Sequence, residues 1–213
     1  MRAFATTLCL AVVLAALGVV CGAAQRAGPP NVAGLLWPVQ PQLQSFVLDD
    51  AHGGNFDQEA LRGHWTLLFL GYTHCPDICP TTLATLKAAN AVLADSAPWA
   101  ASGQVVFVSV DAERDTPEKL RQYVGYFNPA FHAATGTVAQ LHLLTTQLDM
   151  RYTRSSADDP RQWWYDHSAH IVLIGPALHI VALFEPPHEA AELADRVRTL
   201  LAYLSDPARH RAP

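Results

Sequence analysis

Trp65-Thr66-Leu67-Leu68-Phe69-Leu70-Gly71, running on through Tyr72-Thr73-His74 into Cys75-Pro76-Asp77-Ile78-Cys79-Pro80, decides how this chain is read. The apolar run from Trp65 to Leu70 shows no alternation, and a strand lacks alternation when both of its faces are buried. After Pro80 the segment Thr81 to Asp95 places Leu83, Leu86, Asn90 and Leu93 on one helical stripe. Pro80 suits the first helical turn, where a backbone N–H has no partner to lose. The two cysteines thus fall where a central strand hands over to a helix.

Working outward, Phe46-Val47-Leu48 before Asp49-Asp50 and Gly53-Gly54 predicts a strand entering a hairpin, and Val105 to Val110 a second buried strand. Thr116-Pro117-Glu118 opens a helix that runs to about Phe127, with Thr116 as its N-cap. Thr137 to Leu148 predicts another helix. Ile171-Val172-Leu173-Ile174 and Ile180-Val181-Ala182-Leu183-Phe184 flank Gly175-Pro176 as a hairpin, and Glu189 to Leu204 is a final amphipathic helix. This order predicts one α/β domain, a mixed central sheet flanked by helices.

The organisation expected is a leader at 1–24, a Gly/Pro/Ala-rich linker at 25–42, the domain at 43–205 and a short tail at 206–213. After Arg2 the leader is apolar from Ala3 to Val20 except for Thr6 and Thr7. As a helix it would span about 27 Å, close to the thickness of a bilayer core. Gly22-Ala23-Ala24 would also suit a signal peptidase, so a cleaved signal peptide and a retained anchor fit equally. Val20 before Cys21 argues against a lipoprotein, and a single Arg argues against a mitochondrial transit peptide. The expected place is the bacterial cell envelope, with the domain in the periplasm, either anchored to the inner membrane or secreted after cleavage. The net charge of −5 and the lack of a basic block speak against nucleic-acid binding.

Of the four cysteines, Cys9 and Cys21 lie in the leader, so the domain has only Cys75 and Cys79 and no disulfide framework. The partial positive charge of a helix N-terminus favours thiolate, the form that binds metals and attacks disulfides. Three residues between the cysteines leave room for a metal, though the spacing also permits a disulfide. Two soft sulfurs favour Cu(I) or Zn(II), and an imidazole is the natural third ligand. Among ten histidines, His74, His52, His64, His132, His142, His188 and His210 read as loop, turn or surface residues. His167, at the entrance to the Ile171 strand, is slightly favoured over His170, which would face the other way, and over His179 in the hairpin. Spacing alone does not choose between them.

Gly71-Tyr72-Thr73-His74-Cys75-Pro76-Asp77-Ile78-Cys79-Pro80-Thr81-Thr82, Val108-Ser109-Val110-Asp111 with Glu113-Arg114-Asp115-Thr116-Pro117, and Asp166-His167-Ser168 together resemble the Sco/SenC (PrrC-like) family of copper proteins. The resemblance runs from about Phe46 to Leu204. It implies a thioredoxin-like fold and an N-terminal membrane anchor, which tips the leader toward remaining attached. It also implies copper, as Cu(I) and Cu(II), on Cys75, Cys79 and His167. The function implied is a copper chaperone for the binuclear copper A centre of cytochrome c oxidase subunit II, with another copper chaperone as a second partner. The chain departs from the family pattern at Ala112, often proline, and in the extra polar run Ser155 to Arg161, followed by Trp163-Trp164-Tyr165 read as ordinary loop and core aromatics. Asp166 is a candidate to orient His167. The alternative function is a membrane-tethered thiol–disulfide oxidoreductase, in which Cys75 and Cys79 are the redox pair that reduces the target's cysteines.

Overall fold

A strand buried on both faces needs cover on both sides, and the computed structural model, which describes residues 28–36, 39–156 and 162–206, supplies it. The elements are β1 (Val47–Asp50), β2 (Asn55–Asp57), a 3-10 turn (Gln58–Ala60), β3 (Trp65–Gly71), α1 (Ile78–Leu93), α2 (Ala97–Ser102), β4 (Gly103–Ser109), α3 (Pro117–Phe127), β5 (His132–Thr135), α4 (Val138–Gln147), β6 (Tyr152–Ser156), β7 (Trp163–His167), β8 (Ile171–Ile174), β9 (Ile180–Phe184) and α5 (Ala190–Leu204). Seven strands form one sheet in the order β2-β1-β5-β4-β3-β8-β9. β3, β4 and β5 are parallel, while β8 and β9 on one side and β1 and β2 on the other are antiparallel additions. The result is the expected mixed sheet of a thioredoxin-like fold.

Every residue of β3 is buried. Leu67 and Phe69 face a core shared with Leu83, Leu86 and Leu93 of α1, Leu120 and Val124 of α3, and Val197, Leu200 and Leu201 of α5. Leu68 and Leu70 face the opposite core, with Leu48, Phe56 and the Leu141 and Leu144 stripe of α4. In the stretch read as a linker, Leu36 N–H donates to Val181 O at 2.9 Å and Leu35 bridges Ala182, so these described residues run along β9. Among the described residues no helix is long and apolar enough to cross a membrane. The leader, residues 1–24, lies outside the described residues.

Three differences from the sequence reading matter for the site. α1 begins at Ile78 rather than Thr81, with Thr81 N–H closing the first turn on Asp77 O at 3.2 Å. Pro80 is therefore within the first turn, where its missing N–H costs nothing, and Cys79 is helical. β5 was not expected, because His132-Ala133-Ala134-Thr135 has little strand propensity and takes its conformation from pairing with β1 and β4. Finally, Ser155 and Ser156 at the start of the polar run and the Trp163-Trp164-Tyr165 aromatics belong to an antiparallel hairpin, β6–β7, that among the described residues shares no ladder with the main sheet; the rest of that run, 157–161, lies outside the described residues. His167 is the last residue of β7, not a loop residue.

Candidate metal centre

β3 ends at Gly71, and the chain turns through Tyr72 to Cys75, whose N–H donates to Tyr72 O at 3.3 Å. Cys79 enters one turn later from α1 and is fully buried, while Cys75 keeps 8% of its surface exposed. Both thiols are free. Gly71 makes this approach possible: a Cβ there would lie 2.7 Å from Cys79 Sγ and 2.7 Å from the Phe107 ring. No side chain other than hydrogen fits between the strand end and the sulfur.

The third side chain arrives from the hairpin. His167 Nε2 lies 3.4 Å from Cys79 Sγ, and one ligand atom from each of Cys75, Cys79 and His167 lies within 4.8 Å of the others. Nδ1 of His167 is 3.0 Å from Ser168 O. A carbonyl oxygen only accepts, so Nδ1 carries a proton, and Nε2 is the ring nitrogen turned toward the sulfur. Phe69 and Tyr72 flank the imidazole edge-on, each with its ring centroid 6.0 Å away. Asp166, a candidate orienting partner, instead accepts from Ser155 Oγ at 2.9 Å across the hairpin. Adjacent strand residues face opposite sides, so Asp166 and His167 cannot share a partner.

The thiols are chemically unequal. Cys75 is lowered to about 4, chiefly because the Cys79 thiol donates a hydrogen bond to it; burial opposes this, and His167 and the N–H groups of Asp77 and Cys79 add to the lowering. Cys79 is held well above the ordinary thiol range, first by keeping the proton it shares with Cys75 and then by burial. Near neutral pH the metal-free pair thus holds one thiolate and one thiol. A soft cation that displaces the shared proton would meet two sulfurs and one imidazole nitrogen, a donor set matched to Cu(I).

The other histidine candidates are engaged elsewhere. His170 is buried with Nε2 3.4 Å from Leu148 O, and His179 Nδ1 lies 3.1 Å from Gln40 O. His188 Nε2 lies 2.8 Å from Ala169 O. His132, read as a lone loop or surface residue, is a half-buried member of β5 whose ring faces His52 at 6.2 Å. His74 is exposed, as expected, but groups with the buried Asp111 and Asp115. Lys119 Nζ already fills that position, 3.3 Å from Asp115 Oδ1 and 3.3 Å from His74 Nδ1, so the cluster is a charge network. Sequence reasoning gave no role to this network. Asp115 accepts from Thr73 N–H at 2.8 Å and from Ser109 Oγ at 2.7 Å, fastening the cysteine turn to the loop after β4. The only available signal was the Glu113-Arg114-Asp115 motif, which spacing alone does not connect to residues some forty positions earlier.

The SCO1/SenC family model matches residues 39–202 of the chain. A SCO2-like protein of Rickettsia prowazekii is 37% identical over 134 residues, which cover 61% of this chain and 62% of that protein. Among solved structures, Arabidopsis thaliana ScoI with copper bound is 30% identical with a TM-score of 0.70, over 76% of this chain and 99% of that one. Apo Sco1 from Thermus thermophilus is 33% identical with a TM-score of 0.67, over 80% and 95% of the two chains. The three motifs, the thioredoxin-like sheet and a matched stretch covering nearly the whole folded unit give one conclusion: this chain belongs to the SCO1/SenC family.

Proposed function

We propose that the chain is a copper-binding metallochaperone. It holds copper as cargo on Cys75, Cys79 and His167, and passes it to the binuclear copper A centre of cytochrome c oxidase subunit II. The observation that carries this reading is the convergence, within 4.8 Å, of two sulfurs and one imidazole nitrogen from positions 75, 79 and 167. Copper in the Arabidopsis relative, which shares the fold, supports the choice of metal. Two sulfurs and one nitrogen make a low-coordinate site in which Cu(I) is well held yet open to an incoming ligand, so transfer proceeds by ligand exchange. The same set, with the imidazole, also accepts Cu(II). The oxidase subunit as recipient, a second copper chaperone as donor and a periplasmic domain on an envelope anchor follow the family resemblance. The thiol–disulfide alternative would not require His167, and its placement 3.4 Å from Cys79 Sγ favours the metal reading.

The test is anaerobic copper titration of the reduced chain, followed by absorption and EPR, on wild type and on Cys75→Ser, Cys79→Ser and His167→Ala. One copper per chain, lost or strongly weakened in each variant, is the expected result. Tight binding by the double cysteine variant overturns the reading.

A further inference from the structure

Building on that copper reading, we propose that Arg114 and Trp163 are positioning residues: they brace the hairpin that carries His167 against the same loop that holds the cysteine turn. His167 reaches the sulfurs from a hairpin outside the seven-stranded sheet, so among the described residues no ladder with that sheet sets its distance from them. Arg114 Nη1 donates to Trp163 O at 3.2 Å, and its guanidinium carbon lies 4.2 Å from the centroid of the Trp163 ring. Arg154, on β6, places its own guanidinium carbon 4.2 Å from the same centroid, and its Nη1 donates to Glu113 Oε1 at 2.7 Å. Trp163 and His167 are four residues apart on one strand, so they share a face, and a brace on the first acts on the side that presents the second.

The other end of the brace lies under the cysteines. Asp115, next to Arg114, is fully buried and accepts from both Thr73 N–H at 2.8 Å and Thr73 Oγ1 at 2.5 Å, two residues before Cys75. The Arg114 Nε–H donates to the buried Asp111 carboxylate, which fixes the root of the guanidinium. Glu113-Arg114-Asp115 therefore touches both halves of the site while contributing none of its three ligand atoms. Cation–π attraction suits this task, because a guanidinium stacked on an indole fixes orientation as well as distance.

The experiment compares wild type with Arg114→Gln, Trp163→Leu, Trp163→Phe and the exposed Arg154→Gln, all as the full reduced chain, with thermal melts confirming folding. In the metal-free protein the readout is the NMR cross-relaxation between the His167 and Tyr72 rings. In the loaded protein it is nitrogen coupling in the Cu(II) EPR spectrum together with Cu(I) affinity. Arg114→Gln and Trp163→Leu should abolish the ring-to-ring signal and the nitrogen coupling and weaken copper binding about tenfold to a hundredfold, the range seen when partners that orient metal ligands are removed. Trp163→Phe should restore much of both, and Arg154→Gln should reduce both in part. If either Arg114→Gln or Trp163→Leu folds and keeps the full ring-to-ring signal and wild-type affinity, the proposal is overturned. A wild type that binds no copper, with variants whose two rings separate, would sink the copper reading and leave the positioning role standing.

Discussion

Cys75 and Cys79 share one proton, and their inequality is a measurable property of the metal-free site. Cys75 has its folded value lowered to about 4, so it is thiolate above that pH and gains a proton as pH falls through it. The ultraviolet thiolate absorbance of the reduced, metal-free chain should therefore correspond to one thiolate near pH 6, fall to about half near pH 4 and be mostly lost by about pH 3. Cys79→Ala removes the donor that is the largest cause of the shift, so its remaining thiol should titrate at distinctly higher pH. A wild-type midpoint in the ordinary thiol range would show that the sulfurs do not share a proton. Gly71 is the second residue-scale determinant. Gly71→Ala places a methyl 2.7 Å from a fully buried sulfur and 2.7 Å from a fully buried ring, so both must give way to admit it. The expected cost is about 1–3 kcal/mol by urea denaturation, the usual range for overpacking. Because the sulfur must move, the Cys75 midpoint should change with it.

At the scale of elements, what was legible depended on whether a segment's own residues or its neighbours chose its conformation. β3, β4, β8 and β9 announced themselves because their apolar runs suit only a covered strand. α3 announced itself by its N-cap: Thr116 Oγ1 accepts from Lys119 N–H at 3.3 Å, directly before Pro117. Thr116→Ala should lower stability by about 1 kcal/mol in denaturant titration, the typical loss of a cap, and should leave copper binding alone. β5 and the β6–β7 hairpin were not legible. The first is two alanines between a histidine and a threonine, and the second is polar and aromatic with an alternating, half-exposed face. For the site the same division holds. The cysteine pair was readable from its place between a strand and a helix. The choice of His167 over His170 depended on which face of an unforeseen hairpin meets the sulfurs, and resemblance rather than spacing supplied it. The Asp115–Thr73 bond joins positions forty-two apart, which no local pattern encodes.

At the scale of the whole molecule, the sheet separates two apolar cores, and the candidate metal centre belongs to only one of them. Cys75, Cys79 and Phe69 share the core with α1, α3 and α5, whereas Leu68 lies in the core with α4. Leu68 and Phe69 are adjacent in β3 and both fully buried, so truncating either to alanine removes a similar share of core. Leu68→Ala should cost about 2–5 kcal/mol and Phe69→Ala about 3–5 kcal/mol in urea denaturation, from lost burial plus the cavity left behind. Their effects on the site should nevertheless diverge. The Phe69 ring stands 6.0 Å from the His167 ring, and its loss leaves a space into which the imidazole can turn. Phe69→Ala should therefore weaken copper binding and alter the Cu(II) spectrum under conditions where the protein is fully folded. Leu68→Ala, separated from the sulfurs by the sheet, should keep the wild-type spectrum despite a comparable loss of stability. Equal damage to copper binding in both variants would mean that the site depends on the stability of the domain as a whole. Damage confined to Phe69→Ala would mean that one face of one sheet holds the thiols and the imidazole in register.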